Sequence, residues 1–244
     1  MTHPVFKEIA NRTAARYKPG GRFAMGFARG KLLGDPAFEF LIQSGQLRHS
    51  QKILDLGCGQ GLLTALLTEC SETHARGDWP ADWPAPPRAE VHGIELMAAD
   101  VHRAHAALGP QASFEVGNIA LTAFAPCDTV VILDVLHYLN FDEQRDILQR
   151  IRSALAPSGQ LLLRIGDADG GLGFRWSNWV DHVVTWCRGH RLPKLYCRSV
   201  TEWLELLEAS GFNAEKKPLS EGTLFANVLL IGNTDGTPPV RNNS

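Results

Sequence analysis

Apolar residues run along this chain in two rhythms. Short unbroken apolar runs predict strands buried on both faces, and stretches where apolar residues recur every three or four positions predict helices packed against them. Strands are expected at residues 52–56, 90–94, 112–116, 129–133 and 160–165. A helix is expected at 60–70, carrying Leu62, Leu63, Leu66 and Leu67, and another at 98–108, stopped by Gly109-Pro110. A third starts from a cap at Asn140 and buries Ile147, Leu148, Ile151 and Leu155. Ser199-Val200-Thr201-Glu202 has the spacing of a capping box and opens a helix to Ser210 with Trp203, Leu204, Leu206 and Leu207. Strands at 213–219 and 223–231, joined through Ser220-Glu221-Gly222, close the pattern.

Ahead of the first strand, residues 5–17 read as a helix with Phe6, Ile9, Ala10 and Thr13 on one face, broken by Lys18-Pro19-Gly20-Gly21. Residues 22–31 mix aromatics with cations and receive no element. Asp35 and Pro36 have the chemistry of an N-cap and a first turn, for a helix that turns Phe38, Leu41 and Ile42 inward. Two stretches break the alternation. Residues 71–89, with Trp79 and Trp83 among prolines, read as a surface insertion whose tryptophans fold back on the body. Residues 166–198 form a second insertion. Within it Trp176, Trp179, Val180, Val183 and Trp186 share one helical face, beside the cations Arg188, His190, Arg191, Lys194 and Arg198.

Strand and helix in alternation, followed by a strand pair, predict a three-layer α/β domain over residues 51–232, with a helical segment at 1–50 before it and a loose tail at 233–244. Composition narrows the partners. The 244 residues carry 24 basic and 26 acidic side chains, a balance unlike that of a nucleic-acid or membrane-surface binder. The five cysteines include no C-x-x-C pair and no zinc spacing, so they read as reduced thiols of a cytoplasmic protein without a metal. No signal peptide and no membrane span are read.

The candidate chemistry begins at Ile53-Leu54-Asp55-Leu56-Gly57-Cys58-Gly59-Gln60-Gly61, where an apolar strand meets three glycines at alternate positions and a leucine-rich helix follows. Such a corner brings backbone N–H groups at a helix start close to a ligand. The spacing is G-x-G-x-G rather than the dinucleotide G-x-G-x-x-G: Leu62 stands next, and Asp55 lies two residues before the first glycine. Asp55 to Gly61 resembles the first motif of the class I S-adenosylmethionine-dependent methyltransferases. Residues 50–232 share the layout of that superfamily, a Rossmann-like seven-stranded sheet closed by an antiparallel hairpin.

The resemblance implies S-adenosylmethionine as methyl donor, S-adenosylhomocysteine as product and no metal. It implies a site at the carboxyl ends of the strands. Asp55, Gly57, Cys58, Gly59 and Gly61 would cradle the methionine end and ribose. Glu95 would accept from the ribose hydroxyls. Leu96, Asn118 and Ile119 would surround the adenine, with Asn118 where an aspartate is common. Asp134, in Asp134-Val135-Leu136-His137-Tyr138-Leu139, would lie near the sulfonium. His137 matches the position of the histidine that deprotonates the acceptor hydroxyl in plant-type O-methyltransferases. Segments before the first strand cover the cofactor in this superfamily, with Tyr17, Arg29 and Lys31 as candidates.

The acceptor side is expected in residues 1–50 and in the 166–198 insertion, read as a helical cap. Residues 134–167 resemble a bacterial small-molecule subgroup near polyketide and aryl-polyene pathways. That resemblance implies a phenolic or polyene acceptor. The basic segment, with no acid between its cations, would suit docking of an acidic carrier protein that bears a tethered intermediate. A non-catalytic S-adenosylmethionine-binding protein and an NAD-dependent oxidoreductase are the competing readings, and Leu62 and Asp55 count against the second.

Overall fold

The computed structural model describes residues 2–166, 195–219 and 227–234. Seven strands form one sheet in the order β3-β2-β1-β4-β5-β7-β6. They are β1 (Lys52–Leu56), β2 (Glu90–Glu95), β3 (Ser113–Val116), β4 (Cys127–Leu133), β5 (Leu155–Gly166), β6 (Asn213–Pro218) and β7 (Asn227–Asn233). The first five run parallel, and β7 is antiparallel to both β5 and β6. This is the Rossmann-like α/β sheet with an antiparallel closing pair that the pattern predicts. The strand order reverses between β1 and β4, the place where ligands bind in open α/β sheets.

Among the described residues seven α-helices cover the sheet: α1 (Pro4–Ala15), α2 (Gly21–Gly34), α3 (Pro36–Gln43), α4 (Leu62–Ala75), α5 (Ala98–Leu108), α6 (Phe141–Ala154) and α7 (Val200–Ala209). Strand side chains alternate between two cores, as the pleat requires. Ile53, Val131, Leu162, Leu229 and Ile231 join the helices α1 to α4 on one face. Leu54, Val130, Ile132, Leu161, Leu163 and Leu230 join α6 and α7 on the other. By the same parity Asp55 and Arg164 fall on the face of the N-terminal helices. Full capping boxes, Asn140 with Glu143 and Ser199 with Glu202, start α6 and α7. Each cap is worth roughly 1 kcal/mol.

Several boundaries differ from expectation. Residues 22–31 are helical: α2 buries Ala24, Ala28 and Leu32 at four-residue intervals, and its four glycines hide that stripe in the sequence. Helix α4 runs on through residues 71–75, which were expected to open the insertion. Leu155 starts β5 instead of ending α6, so β5 includes the Pro157-Ser158-Gly159 turn. Trp79 and Trp83 do fold back. They meet edge to face at 5.4 Å, Trp79 Nε1 donates to Pro84 O at 3.1 Å, and both pack on the N-terminal core.

The aromatic helix expected in the second insertion, with Arg188, His190, Arg191 and Lys194, lies outside the described residues, as does the tail from residue 235. Arg198 is described, and it is committed to the fold. Its Nε donates to Gln144 Oε1 at 2.7 Å, and its guanidinium lies over the Phe141 ring. The four described cysteines are free thiols. Among the described residues no helix is long and apolar enough to cross a membrane.

Candidate functional site

The glycine turn is fixed from below. Gly57, Gly59 and Gly61 all take positive φ, at 73°, 55° and 75°. Gly57 N and Cys58 N both donate to Ile94 O, at 2.8 and 3.2 Å, which staples the turn to the end of β2. The three glycines serve different ends. A Cβ on Gly57 would overlap the methyl groups of Val135, and one on Gly61 would lie 2.7 Å from Phe114 Cζ. A Cβ on Gly59 would have nothing within 4 Å. Two glycines therefore permit close packing of the turn, and the middle one leaves its upper surface open.

Glu95 stands beside that opening. Its Oε2 accepts from Gly59 N at 3.0 Å and its Oε1 from Met97 N at 2.9 Å, so both carboxylate oxygens are aimed by main-chain donors. Burial raises its pKa, and the two N–H donors oppose that shift. Asp55 is buried on β1, and burial, followed by the charge of Glu95, pushes its carboxyl up to about 7. Cys58 is buried with its thiol pKa raised, first by burial and then by Asp55 and Glu95, so it stays a thiol.

Past β2 and β3 the surface is mixed. Leu96 is half exposed. Asn118 is exposed and closes a turn by accepting from Ala120 N through Oδ1 at 3.0 Å, which leaves its amide N–H₂ and one oxygen lone pair for a ligand. Ile119 is packed in the core beneath, and its carbonyl accepts from Arg150.

The turn after β4 holds the other half of the site. Asp134 has φ 61°, the one non-glycine residue with positive φ among those described. That conformation costs an L-residue roughly 1–2 kcal/mol. Lys31 Nζ lies 3.0 Å from Asp134 Oδ2 and 2.9 Å from Asp35 Oδ2. Arg164 Nε lies 3.2 Å from Asp134 Oδ1, and Arg164 Nη1 meets Asp35 Oδ2. Burial acts to raise the pKa of Asp35, but Lys31 and Arg164 outweigh it and hold the carboxyl below its ordinary value. His137 follows in a 3-10 turn, Leu136–Tyr138. Burial lowers its pKa to about 4 against an opposing pull from Asp134, so the imidazole is neutral at pH 7. Tyr138 is held protonated, its pKa raised to about 12 by burial and Asp134. Gln144 donates to Leu136 O, Leu139 O and Tyr196 O and so ties the turn to α6 and to the segment ahead of α7.

The N-terminal candidates divide. Tyr17 is buried and its hydroxyl donates to Gln60 O at 2.8 Å, while Gln60 Nε2 donates to Ala24 O at 2.9 Å, bracing the glycine turn against α1 and α2. Lys31 reaches the β4 turn. Arg29 is exposed and bonds Asn11. The sequence reading missed Asp35 beyond its cap, Arg164, Gln60 and Gln144. One signal was present: an arginine inside Leu161-Leu162-Leu163-Arg164-Ile165 must find a partner if the strand is central.

A family model described as a methyltransferase domain matches residues 29–217. Among curated proteins, trans-aconitate 2-methyltransferase of Pseudomonas aeruginosa is 32% identical over 162 residues, 66% of this chain and 50% of that protein. Carboxy-S-adenosyl-L-methionine synthase of Chromohalobacter salexigens is 28% identical over 50% of this chain and 43% of its own length. The chain thus spans about half the length of the curated relatives it matches. Among solved structures, an O-methyltransferase family protein from Burkholderia thailandensis aligns over 90% of this chain and 63% of its own, with a TM-score of 0.60 at 17% identity. Human N-acetylserotonin methyltransferase in complex with S-adenosylmethionine aligns over 92% and 59%, with a TM-score of 0.61 at 18% identity. At such identities the likeness is one of fold.

Proposed function

The chain belongs to the methyltransferase-domain family, and from that premise we propose that it transfers a methyl group from S-adenosylmethionine to a small-molecule acceptor. The observation that carries this reading is the pairing of an open glycine with an aimed carboxylate: space above Gly59, and Glu95 hydrogen-bonded to Gly59 N at its edge. A ribose diol needs an acceptor of that kind beside a backbone it can approach closely. When bound, S-adenosylmethionine supplies an electrophilic methyl group on a sulfonium.

In this reading Glu95 accepts from the ribose hydroxyls. The glycine turn from Gly57 to Gly61, with Cys58 as a small buried spacer and Asp55 beneath it, carries the methionine end. Leu96 and Asn118 meet the adenine, the first as an apolar wall and the second as an amide, with Ile119 supporting them from the core. Asp134 and His137 face the acceptor side. The acceptor is a hydroxyl-bearing molecule, phenolic or a carrier-tethered intermediate. Neutral His137 takes the proton that leaves as the new oxygen–carbon bond forms in line with the breaking carbon–sulfur bond. The name of one curated relative, trans-aconitate 2-methyltransferase, agrees with a small molecule as acceptor. A cytoplasmic setting belongs to the same reading.

Calorimetric titration tests it. S-adenosylmethionine and S-adenosylhomocysteine are expected to bind and NADH is not. Glu95→Ala should weaken both methionine ligands at least tenfold. Tight NADH binding without either would overturn the assignment.

A further inference from the structure

Lys31, Asp35, Arg164 and Asp134 close a ring of four ion pairs drawn from α2, the cap of α3, β5 and the turn after β4. Their side chains are 16%, 4%, 7% and 4% exposed. Buried ion pairs add little net stability over apolar packing of the same volume. Stability alone therefore does not account for two cations and two acids at this place. Geometry does. Asp134 sits in the left-handed region, which aspartate enters more readily than most residues but which is sparsely populated outside glycine, and such a conformation persists where its surroundings hold it. Lys31 hydrogen-bonds one carboxylate oxygen, and Arg164 faces the other at ion-pair distance. The next residue, Val135, fills the space over Gly57 that any side chain there would need. A shift of Asp134 would move Val135 against the glycine turn and carry His137 with it.

We propose that Lys31, Asp35 and Arg164 are positioning residues, which clamp Asp134 in its left-handed conformation and so fix the 134–138 turn against the glycine turn. The inference rests on reading that corner as the methyl-donor site. It adds that the N-terminal segment is part of the site's frame through Lys31 and Asp35. It also changes the part played by Asp134. With Lys31 and Arg164 both at ion-pair distance, Asp134 works by shaping the turn rather than by presenting a bare anion to a sulfonium.

The test uses the full chain. Lys31→Met keeps the length of the stem and removes the charge. The variant leaves two buried acids of the ring facing one cation and should melt lower, exchange amide hydrogens at residues 134–138 at least tenfold faster beyond any change in β4 and β5, and bind S-adenosylhomocysteine about tenfold more weakly. Lys31→Arg should restore both. If Lys31→Met does not fold, Asp134→Asn serves in its place, because asparagine tolerates the left-handed region but lacks the charge. Unchanged exchange at 134–138 in the folded variant overturns the proposal. Faster exchange with undiminished affinity overturns it too, since the clamp would then serve the fold alone. If the unmodified protein binds neither methionine ligand, the reading of the site fails, and the exchange comparison still decides the clamp.

Discussion

At the level of single residues, His137 is the side chain whose chemistry pH can report. Burial holds its pKa near 4, well under the ordinary 6.5. Between those values the unfolded chain takes up a proton that the folded chain refuses. The group therefore costs nothing above pH 6.5, and its penalty grows as pH falls from 6.5 toward 4, at roughly 1.4 kcal/mol per unit. Asp55 has the opposite sense. Its carboxyl is raised to about 7, so the folded state keeps a proton that the unfolded state has lost, and stability from this group falls as pH rises from about 4 to 7. For activity the consequence concerns His137: the neutral imidazole that a general base requires is present throughout pH 5.5–8. The pH profile of kcat/KM should show no acid-side inflection near 6.5. His137→Ala should lower kcat at least a hundredfold while leaving S-adenosylhomocysteine affinity within a factor of three. Full turnover in that variant would remove His137 from the base role, and an inflection near 6.5 that the substitution abolishes would show an imidazole freely exposed to solvent.

Among the elements, the turn between β1 and α4 separates packing from binding. Gly57→Ala meets Val135 and a φ of 73°, so it should destabilise the fold by several kcal/mol. Gly59→Ala meets only the φ of 55° and open space. Its thermal unfolding should move by a few degrees, about 1 kcal/mol, whereas cofactor affinity should fall more than tenfold because the new methyl group stands where the ligand must approach. Equal effects of the two alanines on affinity at equal stability would contradict this division. The same turn shows what the sequence makes legible. β1 is readable because Ile53, Leu54 and Leu56 run straight into the glycines, and α7 because its Ser199–Glu202 capping box is strong. α2 is not, because Gly21, Gly26, Gly30 and Gly34 erase the apolar stripe that Ala24, Ala28 and Leu32 form. In the candidate site, Glu95 and Asp134 are legible from their places at strand ends. The partners of Asp134 are not. Lys31 and Asp35 are four residues apart and pair locally, but joining them to Arg164, 129 positions after Asp35, needs the folded sheet.

For the whole molecule, the question is whether residues 2–50 decorate the domain or complete it. The family match begins at residue 29, which leaves α1 and the start of α2 outside it. The packing draws no such line. Phe6, Ile9, Tyr17, Leu32, Phe38, Leu41 and Leu47 are each at most 3% exposed, in or against one cluster with Ile53, Leu63, Leu66, Val131 and Leu162. Arg16 ties α1 to Glu69 and Glu72 on α4, and Tyr17 ties it to the glycine turn. Stripping those helices would uncover one face of α4 and of the sheet. At roughly 1.5–3 kcal/mol for each large side chain returned to water, five such residues come to roughly 7.5–15 kcal/mol, comparable to the whole margin of roughly 5–15 kcal/mol by which a domain is stable. A chain starting at Gln51 should therefore lose cooperative thermal unfolding and near-ultraviolet circular dichroism together, and bind a hydrophobic dye. If it instead unfolds cooperatively and binds S-adenosylhomocysteine as the longer chain does, the N-terminal helices are an accessory, and the frame of the site lies wholly within the sheet and its own crossovers.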